Sequence, residues 1–233
     1  MLERISGSYP RLGSVDGWNA HFGRELNASD DRGHFEPFEN SLTARPVIEG
    51  KQIDPFRVHV GRSRYQLKAG APDRIPRRVR LAYRDVASAT NRLTLIAAMV
   101  PARVVTTHTL FCLRTSLTLE AQQVLCGLLN SYVANYLVRF RVNTHVTVSL
   151  VSRLPVPLIE PADPAFNRIA SLVRILMKGS RGAEEMKEYA ELQALVAELY
   201  GLTPRDFAHV LSTFPLVPER TKAAALSAFK DVH

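Results

Sequence analysis

At Thr118 the apolar residues of this chain change their spacing, and no other feature restricts its fold as much. Upstream, short β-branched and aromatic runs alternate with Gly, Pro, Asn and Asp, the pattern of strands and loops. Downstream, Leu119, Val124, Leu125, Leu128, Leu129, Tyr132, Val133, Tyr136, Leu137 and Phe140 recur at three- and four-residue steps, which is helical. Each period suits one secondary structure and spoils the other. The chain is therefore predicted to be α+β: a twisted mixed β-sheet domain over residues 1–157, which includes a helix at 119–141, followed by a C-terminal helical bundle over 158–233.

Within the first part, 18–26, 45–53, 78–86, 92–100 and 103–113 read as strands, and "HVTVSLVSRLPVP" (145–157) reads as a further strand stopped by Pro155 and Pro157. Thr118 is placed to cap the 119–141 helix. Helices are expected near 163–178, 184–200, 204–213 and 218–230. Asp163-Pro164 and Thr203-Pro204 each put a capping side chain before a proline at the first helical position, and Asp206 completes a capping box.

Charge narrows the function. The chain has 233 residues, 46% of them hydrophobic and 22% charged, as a globular protein should, but its net charge is +8. Between Arg57 and Arg92 lie ten Lys/Arg and two acids, so this stretch alone carries an excess of +8. On the 78–86 strand, Val79, Leu81 and Tyr83 share one face while Arg78, Arg80 and Arg84 share the other. Like charges along one strand face repel each other, so a purely solvated role is disfavoured and a polyanion is the expected partner. Tyr65, Tyr83, Gln66 and Asn91 are interleaved with these cations, which supplies groups able to read base edges. Duplex nucleic acid gripped by Arg57, Arg62, Arg64, Lys68, Arg74, Arg77, Arg78, Arg80 and Arg92 is the leading expectation. An acidic protein partner is the alternative.

Signatures of catalysis are sparse. There is no glycine-rich cofactor loop, no GxSxG, no HExxH and no Asn-Pro-Pro-aromatic motif, so a complete methyltransferase is excluded. Asp30, Asp31, Glu49 and Lys51 loosely fit the D…ExK pattern with which nucleases hold Mg²⁺, although a turn with a solvated charge pair explains ExK as well. His108 reads as a hydrogen-bonded strand histidine or a groove contact. Cys112 and Cys126 lack metal or redox spacing and suit buried thiols in a reducing cytosol. The best apolar run, "LTLIAAMVPARVV", is too short to span a membrane and carries Pro101 and Arg103. A cytoplasmic protein is expected.

Several segments together resemble a known family. "GWNAHFGRELNASDD", "VIEGKQIDPF", "RLAYRDVASATNRLTLIAAMVPARVVTTHT", "LLNSYVANYLVRFRVNTHVTVSLVSRLPVP" and "ELYGLTPRDFAHVLSTFP" are similar, in this order, to blocks that follow the catalytic domain of large bacterial adenine-N6 DNA methyltransferases. These enzymes belong to type IIG restriction–modification and phage-exclusion systems. The resemblance covers nearly the whole chain and implies a TaqI-like target-recognition domain that binds double-stranded DNA. It implies no cofactor here, with S-adenosylmethionine on an N-terminal methyltransferase domain or subunit, and it weakens the nuclease reading of Glu49 and Lys51. It also implies that Arg84, Asp85 and Asn130 are structural, Arg84 and Asp85 as a buried pair anchoring the sheet. Base reading would then fall to Arg57–Arg80, and the chain would be an excised fragment or a standalone specificity subunit.

Overall fold

The computed structural model describes residues 5, 7–27, 29–71 and 76–232. Among them ten short strands form: β1 (His21–Gly23), β2 (Phe35–Pro37), β3 (Pro46–Ile48), β4 (Ile53–Asp54), β5 (Arg57–Val58), β6 (Tyr65–Leu67), β7 (Arg80–Arg84), β8 (Ala97–Val100), β9 (Val105–Thr106) and β10 (Leu110–Arg114). They make two four-stranded sheets, ordered β1-β10-β7-β8 and β2-β6-β3-β9, and a β4–β5 hairpin. The first sheet is wholly antiparallel; the second is mixed, because β3 and β9 run parallel with Val47 opposite Val105. The hairpin leans on the first sheet through a Phe56–Ala98 bridge.

Seven helices are described: α1 (Leu119–Leu129), α2 (Tyr132–Arg139), α3 (Val148–Ser152), α4 (Pro164–Lys178), α5 (Lys187–Leu199), α6 (Pro204–Ser212) and α7 (Glu219–Val232). The α+β architecture and the helical C-terminal part are as the two periodicities require. Thr118, Asp163 and Thr203 all cap as expected, accepting from the N–H of Ala121, Ala165 and Asp206, and the Thr203–Asp206 box is complete.

The strand expected at 103–113 is split into β9 and β10, which lie in different sheets, and that at 45–53 is interrupted by a turn at Gly50–Gln52. Two further expectations are overturned by short polar side chains that out-compete the apolar pattern. The 119–141 helix breaks at Asn130–Ser131, where the Ser131 hydroxyl accepts from Ala134 N at 3.0 Å and starts a second helix. Residues 145–157 are not a strand. Thr147 caps α3 by accepting from Leu150 N at 3.2 Å, and only isolated bridges, Val86–His145 and Arg11–Pro155, survive as β structure.

The centre of the molecule is α1. Every residue from Ala121 to Leu129 is buried, because the helix packs against β7 and β8 and also against α4. Gly127 permits the helix–helix approach: a Cβ there would sit 2.7 Å from the Ile169 methyl. One apolar core runs from Trp18 and Leu81 through Leu125 and Leu128 to Phe207 and Phe229. A small separate cluster, Leu26, Phe35, Val47, Leu67 and Val105, lies at the second sheet.

Side-chain amides fasten this helix to the strands. Asn130 accepts from Ala97 N at 3.0 Å and donates to Ala97 O at 2.8 Å, imitating a neighbouring strand along the edge of β8. Asn135 accepts from both Thr94 N and Leu95 N and donates to Leu95 O. Gln122 takes the Leu81 N–H, beyond the last β7–β10 pair. Asn130 is thus structural.

Candidate nucleic-acid interface

The nine cations singled out in the sequence do not share one fate. Arg80 does not face outward: β7 is an inner strand of a sheet covered by α1, and residues 80–83 are all buried. Its guanidinium forks onto Glu25, Nε to Oε1 at 2.6 Å and Nη2 to Oε2 at 2.5 Å, with both side chains only 10–12% exposed. The remaining donors reach the carbonyls of Pro101 and Val104 at 3.0 and 2.8 Å. Glu25 also accepts from the N–H and hydroxyl of Thr106, both at 2.9 Å, so this group joins β7 of the first sheet to β9 of the second. Such a bidentate pair, with a hydrogen bond from every guanidinium nitrogen, is what burying an arginine requires.

Arg57 is likewise committed internally. Its Nε donates to Leu176 O at 2.8 Å, one of the orphan carbonyls at the end of α4, and its other nitrogens reach Arg181 O and Met186 Sδ. Arg92 pairs with the carboxylate of Glu184. Arg80 and Arg57 are thus spent on buried or part-buried partners within the protein, whereas Arg92 stays half exposed beside Glu184. Arg74 lies outside the described residues.

Arg62, Arg64, Lys68, Arg77 and Arg78 are exposed. Arg64 and Lys68 flank β6, whose alternation puts them on the side opposite Tyr65 and Leu67. Lys68 Nζ donates to Gly33 O at 2.8 Å, which leaves two of its protons for a ligand. Arg32, which sequence reasoning did not single out, stacks over the Tyr65 ring at 4.2 Å and donates to its hydroxyl at 2.9 Å. Phe35, buried in the small cluster of the second sheet, stacks on the same ring, so Tyr65 is held between the core and Arg32. Gln66, in contrast, is spent on Glu36 and the Glu39 N–H.

The Arg84–Asp85 pairing does not form. Strand alternation sends the two side chains to opposite faces, and Asp85, 4% exposed, instead meets Arg24 at 3.4 Å and His145 at 3.2 Å. Arg84 lies across Gly50 with its Nε buried and unpartnered. Burial holds this guanidinium below its ordinary pKa, opposed by the charge of Asp54.

Glu49 is occupied by Lys51 at 2.7 Å and by the turn that it caps with Gln52. Among the described residues no three His, Cys, Asp or Glu side chains are grouped to hold a metal. His108 Nδ1 is buried without a partner. Both cysteines are free and buried, and burial pushes the Cys112 thiol up to about 12. No described helix is long and apolar enough to cross a membrane.

A second cationic concavity, of about 680 Å³, lies outside the 57–92 stretch. It is bordered by Arg11, Arg141 and Arg153. The sequence signal for it was diluted: its arginines are spread over more than a hundred residues and meet only because Arg11 bridges to Pro155.

No protein-family model and no curated protein matches this sequence. A solved structure of the type IIL restriction–modification enzyme MmeI in complex with DNA matches with a TM-score of 0.55 at 14% sequence identity. The match covers 91% of this chain and 34% of the other, so the chain spans about a third of that protein's length. In fold, this chain is similar to a substantial part of a restriction–modification enzyme.

Proposed function

We propose that this chain binds double-stranded DNA and supplies target recognition to a restriction–modification enzyme that methylates adenine at N6. The observation that carries the reading is the fold shared, over nine-tenths of the chain, with a restriction–modification enzyme whose structure was solved with DNA. The surface chemistry agrees. Arg62, Arg64, Lys68, Arg77 and Arg78 are exposed and offer charge for phosphates, and Arg32, over the Tyr65 ring, adds a further cation. Residues 1–157 would do the reading and 158–233 would brace them. The chain itself would be a TaqI-like target-recognition domain, and methyl transfer and S-adenosylmethionine would belong to a separate N-terminal methyltransferase domain or subunit, working in the bacterial cytoplasm.

Binding of the chain to short duplexes, followed by fluorescence anisotropy from about 50 to about 200 mM salt, tests this. Affinity should fall steeply with salt. The R62A/R64A/R78A variant should flatten the log–log slope by about 2.7, or about 0.9 for each phosphate no longer neutralised. Salt-independent binding, or no binding, would refute the reading.

A further inference from the structure

We infer that the concavity bordered by Arg11, Arg141 and Arg153 seats a stretch of the DNA sugar–phosphate backbone, as a second grip separate from the Arg62–Arg78 surface. The inference rests on the DNA-binding reading above. Its own support is the composition of the site. Three exposed guanidiniums converge on one concave space of about 680 Å³, and no carboxylate is among its lining residues. None of the three makes an ion pair among the described residues, whereas Arg80 and Arg57 are satisfied within the protein and Arg92 pairs with Glu184. Clustered like charges without counter-ions raise the local potential and draw anions into a cleft.

The remaining lining is also suited to phosphate oxygens. Asn143, Thr144 and Thr147 add neutral donors. The Thr147 hydroxyl already accepts the capping hydrogen bond from Leu150 N, so its proton is left to donate. His145 Nδ1 is held 3.2 Å from the buried Asp85, which fixes the ring at the edge of the site. The space is within the size range of small-molecule pockets, about 300–1,000 Å³, but those are mostly apolar. A polar cationic lining of this kind fits an extended polyanion better.

Its frame is rigid. Leu12 N donates to Leu154 O at 2.8 Å, Gly13 N to Ser152 O at 2.9 Å and Val156 N to Pro10 O at 3.0 Å, so Arg11 and Arg153 rest on one hydrogen-bonded ladder. Arg141 follows α2, with its N–H bonded to Val138 O. A preformed site of this kind spends little ordering entropy on binding.

The test compares three proteins on the same short duplexes by anisotropy: wild type, R11A/R141A/R153A and R11K/R141K/R153K. The alanine variant should lower the salt slope by about 2–3, at about 0.9 for each phosphate. The lysine variant keeps the charge and should keep the wild-type slope, which separates charge loss from misfolding. If the alanine variant binds with the wild-type slope while R62A/R64A/R78A loses affinity, the groove proposal is overturned and the DNA reading stands. If wild type binds no duplex, both fall.

Discussion

Replacing Arg80 with methionine separates a structural arginine from a DNA-reading one. The substitution keeps most of the aliphatic volume but removes the fork that neutralises Glu25, a carboxylate only 12% exposed. Glu25 would retain the Thr106 N–H and hydroxyl and nothing cationic, and the carbonyls of Pro101 and Val104 would lose their donors. Breaking one partner out of a buried pair costs about 3–5 kcal/mol. For a chain of this size each kcal/mol shifts Tm by about 2–4 °C, so R80M should melt about 6–20 °C lower. E25Q/R80M should recover part of the loss, because the buried charge is gone, with a coupling energy of about 0.5–3 kcal/mol. Differential scanning calorimetry reads both effects. Below the new Tm, the salt slope for DNA should equal that of wild type. A variant that melts normally but drops about 0.9 from the slope would show that Arg80 touches phosphate and is not committed to Glu25.

Two further outcomes follow from the interior. Asn130→Ala removes the acceptor of Ala97 N, while Ala97 O keeps the Phe56 N–H; one orphaned buried donor should cost about 1–3 kcal/mol, read as a lower urea midpoint, and an unchanged midpoint would contradict the clamp. The Cys112 thiol is pushed up to about 12 from an ordinary 9.0, first by burial and then by the Glu25 charge. Because the raised value favours the neutral form, its contribution is whole below pH 9 and is lost between pH 9 and 12. Tm should therefore fall less steeply above pH 9 in Cys112→Ala than in wild type; parallel curves would refute this.

The local signals of this sequence were legible wherever partners lie within a turn or two. The caps at Thr118, Asp163 and Thr203 and the helices after Asp163 need only residues three or four apart. The break at Ser131 and the short helix after Thr147 used equally local caps, but a broad apolar stripe and a β-branched alternation masked them. The fate of the arginines was not legible for a different reason. Arg80 finds Glu25 at a separation of 55 residues, and Arg57 finds Leu176 at 119. Strand alternation assigns a side chain to a face but says nothing about what covers that face. The groove at Arg11 was hidden in the same way, since its two walls come from opposite ends of the sheet-bearing half.

The burial of α1 on all sides has one more consequence. With β7 and β8 against one flank and α4 against another, positions 121–129 have no side on which a substitution could go unnoticed. On the proposed reading, any change in the contacts to DNA falls to exposed positions such as Arg62, Arg64, Arg78 and Arg153, while residues 121–129 stay unaltered.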